Sequence, residues 1–298
     1  TYTADTMTLD VRDREFVITD PNSLWHGYSL YELYQKASTP WEWHEPIFRR
    51  CGELGMIGFS TPFDHTAVDF LEKLSVPCYK VASFEIVDLP LIRKVAATGK
   101  PVIVSTGMAS VTEIAEAVST AHAAGCRELV LLKCTSSYPA SPAHSHLLTI
   151  PHLRAMFNCP VGLSDHTLGI GAAVASVALG TVAIEKHVTL KRSEGGVDAD
   201  FSLEPEELAH LVHETHRAWQ ALGTVSYGVL PEERSSLIFR RSLYVVRDMK
   251  AGEVFTPDTL RIVRPGMGLP PKFYEMLIGR RAARDLTKGT AVTWDLVG

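Results

Sequence analysis

The feature that most constrains this chain is a repeating unit that begins at Met56. Short apolar runs end in small polar residues, and each is followed by an amphipathic stretch. The runs occupy 56–61, 78–83, 102–106, 129–134, 161–164 and 182–185. Near-continuous apolar runs alternating with helices read as strands of a parallel sheet buried on both faces. The intervening helices carry their own punctuation. Ser110-Val111-Thr112-Glu113 is a capping box whose helix stops near Gly125. Asp64 caps a helix with the stripe Ala67, Phe70, Leu71 and Leu74. Asp88 with Pro90 opens the next, and Gly99 closes it. Glu204-Pro205-Glu206-Glu207 opens a long helix to about Leu222, its acidic first turn matched to the helix dipole.

Six strand-helix units fit a barrel or a doubly wound sheet. No G-x-G-x-x-G follows a strand, as a dinucleotide-binding sheet requires. Polar residues recur at the C-terminal ends of nearly all the runs, and in a barrel those ends converge on one mouth. The expected fold class is therefore α/β, a TIM (β/α)₈ barrel. With six strands found of eight, two are unaccounted for, and an open barrel leaves unpaired edges at the 56–61 and 182–185 runs.

After about Gly223 the character changes to short segments rich in β-branched residues, Gly and Pro. Arg247-Asp248, Gly252, Thr256 and Asp258 recur at a constant offset as Arg284-Asp285, Gly289, Thr293 and Asp295. The echo predicts a small, mostly β module with pseudo-twofold symmetry; chance similarity of two turns is the plainer alternative. The expected organisation is a barrel over 1–225, a linker over 226–239 and the β module over 240–298.

Composition narrows the function classes. The net charge of -5 lacks the basic footprint of a nucleic-acid binder. No apolar run approaches the ~20 residues that span a bilayer, and the first residues show no secretory signal. Five cysteines, odd in number and without a C-x-x-C, suit reduced thiols in the cytosol.

Several residues are candidates for chemistry. His166 and His187 each lie just past one of two successive runs. Neighbouring strands are ~4.8 Å apart, so both imidazoles can reach one metal ion and leave coordination positions open. Each can instead simply hydrogen-bond at a strand end. Lys80 sits inside an apolar run and Lys133 near the end of another, where a buried cation needs an anion. With Thr61, Ser83, Ser105 and Ser164 they suggest a phosphate or carboxylate cradle; pairing with Glu85 or Glu185 is the alternative. Glu185 and Asp198 are candidates for acid-base work or for holding a sugar hydroxyl. Tyr138 sits on a loop at the mouth. Tyr2, Trp25, Trp41 and Trp43 fall in a long, mostly irregular N-terminal stretch.

These residues form a familiar series. The motifs are Ser-Thr-Pro-Phe-Asp at 60–64, Tyr-Lys-Val-Ala-Ser at 79–83, Ser-Thr-Gly-Met at 105–108, Cys-Thr-Ser-Ser-Tyr-Pro at 134–139, Gly-Leu-Ser-Asp-His-Thr at 162–167 and Ile-Glu-Lys-His at 184–187. The chain resembles the sialic acid (nonulosonate) synthase family over essentially its whole length, nearest the pseudaminic acid branch. Ser136, the Thr-Pro-Trp-Glu-Trp-His run at 39–44 and Phe-Ser-Leu-Glu-Pro at 201–205 point to that branch.

The resemblance implies a TIM barrel followed by an antifreeze-like (SAF) domain. It implies condensation of phosphoenolpyruvate with an amino sugar, 2,4-diacetamido-2,4,6-trideoxy-L-altrose in this branch, with release of phosphate. It implies His166 and His187 as ligands of a divalent metal, manganese or magnesium, with cobalt as a third option. Thr61, Lys80, Ser83, Ser105, Ser136 and Ser164 look like the phosphoenolpyruvate pocket, and position 136 departs from the Asn of sialic acid synthases. Glu185 and His187 look catalytic, and Tyr138 and Asp198 belong to the sugar side. Arg264 resembles an arginine that reaches the partner's site in a domain-swapped homodimer. The resemblance also places Thr1 just after the family's second strand. Two strands and a helix, with a lysine and a glutamate of the site, are therefore expected to lie outside these residues. The alternatives are a synthase of N-acetylneuraminate or legionaminate, or a non-catalytic sugar-binding protein of the same fold.

Overall fold

The computed structural model describes all 298 residues, which divide into two compact units, Thr1–Gly223 and Thr224–Gly298. The first is built on a parallel sheet of β1 (Tyr79–Val81), β2 (Val102–Ser105), β3 (Leu129–Cys134), β4 (Val161–Asp165) and β5 (Ile184–Lys186), paired in sequence order. Ahead of it lie α1 (Ala4–Met7), α2 (Leu30–Ala37), α3 (His44–Glu53) and α4 (His65–Lys73). Between and after the strands come α5 (Leu89–Ala96), α6 (Val111–Ala123), α7 (Thr149–Phe157), α8 (Gly171–Val177) and α9 (Pro205–Leu222).

Local chemistry explains the helix starts. The Asp64 carboxylate accepts from the amides of Thr66 and Ala67 at 2.7 and 3.0 Å, and Asp88 caps α5 through the Leu91 amide at 3.0 Å. Ser110 and Glu113 close the expected capping box on α6. Each cap satisfies amide groups that the first helical turn leaves unpaired.

Strand alternation divides the side chains. Tyr79, Val81, Val102, Val104, Leu129, Leu131, Val161 and Leu163 are buried in one apolar core with α4 to α7. Residues of the opposite parity (Lys80, Ser105, Cys134, Ser164 and Glu185) line a cavity on the other face. The sheet curls strongly. β1 and β5 are its two edges, yet Lys80 Nζ lies 3.3 Å from Glu185 Oε2. Four spacings of a flat sheet would separate those strands by about 19 Å.

One strand expected from sequence is absent. The run at 56–61 has no ladder partner; Met56 and Ile57 are 60% and 75% exposed. Apolar content makes a segment compatible with a strand, but a strand requires a neighbour. The sheet edges are accordingly β1 and β5.

The second unit pairs β6 (Ser242–Val245) with β7 (Leu260–Val263) antiparallel and packs around Leu243, Phe255, Leu260, Leu277 and Val292. The sequence echo is a physical two-fold. Asp248 accepts from the Lys288 amide at 2.8 Å, and Asp285, its counterpart, accepts from the Ala251 amide at 2.9 Å. Met249 and Leu286 exchange backbone bonds at 2.8 and 2.9 Å between them.

Candidate active site

The C-terminal ends of β1 to β5 and the loops beyond them surround a cavity of about 690 Å³. Thr61, Lys80, Ser83, Ser105, Ser136, Tyr138, Ser164, His166, Glu185, His187 and Asp198 all line it. Their separation in sequence is bridged by the parallel register, which sets Ser164 opposite Glu185 and Cys134 opposite Ser164.

One side of the cavity is cationic and rich in hydroxyls. Lys80 is 5% exposed, and its only carboxylate contact is Glu185. Glu185 also accepts from Ser164 Oγ at 2.7 Å. Ser83 and Ser136 hydroxyls share a hydrogen bond at 2.8 Å. Ser105 is 1% exposed, and its hydroxyl is buried without a partner. A buried unpaired hydroxyl costs free energy that a ligand acceptor can recover. Gly107 makes this packing possible. Its φ is +37°, and a Cβ there would stand 2.4 Å from Ser83 Cβ and 2.7 Å from Ser136 Oγ.

The two histidines meet at another side, ring centroids 5.3 Å apart. His166 Nδ1 donates to the Thr135 carbonyl at 2.9 Å, leaving Nε2 with its lone pair. His187 Nδ1 faces Asp198 Oδ2 at 3.5 Å. Orientation of one ring nitrogen by a carbonyl or carboxylate is the usual preparation of a metal-ligating histidine. No further His, Cys, Asp or Glu closes the pair into a cluster of three ligands. The donor set fits a divalent cation in an open site. Burial lowers the His187 pKa, favouring the neutral ring. Burial opposes a charge on His166 too, but the Cys134 thiol and the Thr135 carbonyl outweigh it and the pKa is raised. Tyr138 packs on His166 at 4.5 Å between centroids, and burial pushes its phenol up to about 12, so it stays a neutral donor.

One residue differs from the sequence reading. Lys133 has the parity of Leu131 and leaves the cradle; it is 7% exposed and donates to Thr135 Oγ1 at 2.6 Å. Lys186, which also lines the cavity, donates to Asp165 at 2.8 Å, both side chains nearly inaccessible, beside the strand ends that carry the histidines. Arg264 belongs to the second unit, exposed and directly after β7.

The sequence offers Glu85 only as a possible partner of a buried lysine, and Trp25 only as part of an irregular stretch. Glu85 lies in the 3₁₀ turn Ser83–Val87, lines the cavity and has Oε2 buried without a partner. Its position two residues past Ser83, at a strand end, was the available signal. Trp25 lines the cavity, packs on Tyr138 at 6.2 Å and donates from Nε1 to the Val197 carbonyl at 3.0 Å. That contact joins residues 172 apart in sequence and leaves no local pattern.

With the cavity defined, similarity to known proteins decides the family. The model of the NeuB family matches residues 1–227, and that of the SAF domain matches 240–298. The chain belongs to the NeuB family. This NeuB-family chain is 39% identical to a pseudaminic acid synthase of Helicobacter pylori over 296 residues, 99% of this chain and 86% of that protein. It is 35% identical to an N,N'-diacetyllegionaminic acid synthase of Campylobacter jejuni over 86% of this chain and 78% of that one. A crystal structure of N-acetylneuraminic acid synthetase from Leptospira borgpetersenii, in complex with citrate, superposes with a TM-score of 0.65 at 34% identity. That match covers 70% of this chain and 73% of the other. The chain thus has the TIM-barrel-like fold of its family, here a parallel half-barrel sheet, followed by a SAF domain.

Proposed function

We propose that this protein is a pseudaminic acid synthase. It would condense phosphoenolpyruvate with 2,4-diacetamido-2,4,6-trideoxy-L-altrose, giving a nine-carbon nonulosonic acid and phosphate. The observation that carries the reading is the meeting, in one cavity, of the Lys80 and serine cradle with the His166 and His187 pair. Similarity to pseudaminic acid synthases over nearly the whole chain supports the choice of sugar.

Lys80, Thr61, Ser83, Ser105, Ser136 and Ser164 hold the phosphate and carboxylate oxygens of phosphoenolpyruvate. Tyr138 and Asp198 hold the sugar. C3 of phosphoenolpyruvate then uses the C2–C3 π pair to form a bond to the aldehyde carbon of the open-chain sugar, whose C=O π bond breaks and whose oxygen takes up the proton that the attacking water gives up. Water adds at C2, and the tetrahedral carbon so formed expels phosphate by C–O cleavage. Glu185, between Ser164 and Lys80, handles the proton of that water. A divalent cation on His166 and His187, manganese or magnesium, would supply Lewis acidity at the aldehyde oxygen. The five free thiols suit a reducing, cytoplasmic setting.

Replacing His187→Ala tests the assignment. Phosphate release at saturating manganese is expected to fall at least a hundredfold, and undiminished turnover refutes the metal role. Arg264 is assigned to the sugar in a partner's cavity within a domain-swapped homodimer. Mixing inactive Arg264→Ala and His187→Ala chains should then restore about a quarter of wild-type activity after subunit exchange, and no recovery refutes the swap.

A further inference from the structure

We propose that the N-terminal segment builds the subsite for the apolar substituents of the sugar, and so selects deoxygenated, N-acylated amino sugars over polyhydroxylated ones. This rests on the synthase reading above. The cavity has unlike walls: the strand ends supply charge and hydroxyls, whereas Met7, Trp25, Leu33 and Tyr34 supply an apolar surface. Leu33 is fixed by α2, 8% exposed, and α2 is capped by Ser29. The Trp25 indole N–H is already committed to the Val197 carbonyl. Only the phenols of Tyr34 and its neighbour Tyr2 leave this wall side-chain polar groups to offer.

The wall adjoins the histidine pair. Trp25 packs on Tyr138, and Tyr138 packs on His166 and on His187 at 6.4 Å. A sugar whose aldehyde lies at the histidines therefore extends its remaining carbons along Trp25. Methyl and acetamido methyl groups bury surface there. A free hydroxyl pressed against Met7, Trp25 or Leu33 finds no side-chain partner, which disfavours it by about 10²-fold. The Trp25 to Val197 bond also ties the wall to the segment bearing Asp198, so the apolar and polar contacts to one sugar are held together.

The experiment measures kcat and KM for phosphate release with two sugars, the diacetamido-trideoxy hexose and N-acetylmannosamine, in wild type, Trp25→Ala, Trp25→Phe and Met7→Ser. The wild type should prefer the diacetamido sugar. Trp25→Ala and Met7→Ser should raise its KM about tenfold or more, without a comparable rise in KM for phosphoenolpyruvate, and shrink the preference. Trp25→Phe, which keeps the ring face but not the N–H, should recover most of the loss. Equal losses for both sugars, or Trp25→Phe as damaged as Trp25→Ala, overturn the subsite. A wild type that turns over N-acetylmannosamine preferentially overturns both the inference and the choice of sugar, and leaves the synthase reaction standing. Phosphate release from no sugar overturns the synthase reading and the inference with it.

Discussion

Glu85→Gln separates the stability of the cavity from its chemistry. Burial pushes the Glu85 carboxyl up to about 6 from an ordinary 4.5, with only partial relief from its own backbone amide and from Lys80. The unfolded chain releases this proton near 4.5, while the folded chain keeps it until about 6. The folded state thus binds more protons between those values, and stability falls as pH rises through the window. The gap corresponds to about 2 kcal/mol, at 1.36 kcal/mol per tenfold step in proton affinity. Glutamine is the uncharged isostere. Wild type and Glu85→Gln should be equally stable near pH 4, and the variant should lead by about 2 kcal/mol above pH 7. Denaturation followed by tryptophan fluorescence reads the right unit, because Trp25, Trp41, Trp43 and Trp219 lie in the first and Trp294 alone in the second. A difference independent of pH, or one favouring the wild type at pH 7.5, refutes the reasoning.

Other substitutions probe the remaining contacts. Ser105→Ala removes a buried unpaired hydroxyl, so the fold should hold or gain about 1 kcal/mol while KM for phosphoenolpyruvate rises; thermal melts and initial rates together check this. Gly107→Ala forces a Cβ against Ser83 and Ser136 at positive φ and should cost about 1–3 kcal/mol, with KM for phosphoenolpyruvate raised in proportion as the serines move. Lys186→Met strands the buried Asp165 carboxylate and should cost about 3–5 kcal/mol; adding Asp165→Asn should return much of it, as a double-mutant cycle by urea titration will show.

Much of this fold is legible because a parallel sheet writes itself as continuous apolar runs. Five of the six runs are strands, and the capping residues Asp64, Asp88 and Ser110 mark their helices. The run at 56–61 shows the limit: local pattern records compatibility with a strand, whereas pairing is a property of neighbours. Lys133 is a different case. Its parity with Leu129 and Leu131 placed it on the outer face, and reading it by position along the strand obscured that. The cavity residues were legible where they follow strand ends. Glu85 sits in a 3₁₀ turn and Trp25 in an irregular stretch, so neither had a period to betray it. The echo in the second unit was legible because its aspartates repeat the same task, each capping an amide in the other's half.

The contact between Lys80 and Glu185 gives the cavity a tenant before any substrate arrives. If Lys80 binds phosphate as proposed, the phosphate must take the lysine away from a carboxylate already beside it. On the proposed roles of these residues, competition from the Glu185 carboxylate would weaken the hold of the lysine on a phosphate. It also makes the freedom of Glu185 conditional, since its carboxylate loses the lysine only when an anion has taken its place. On the proposed roles, occupancy at one edge of the curled sheet would thereby be reported, through a single side chain, to the carboxylate at the other.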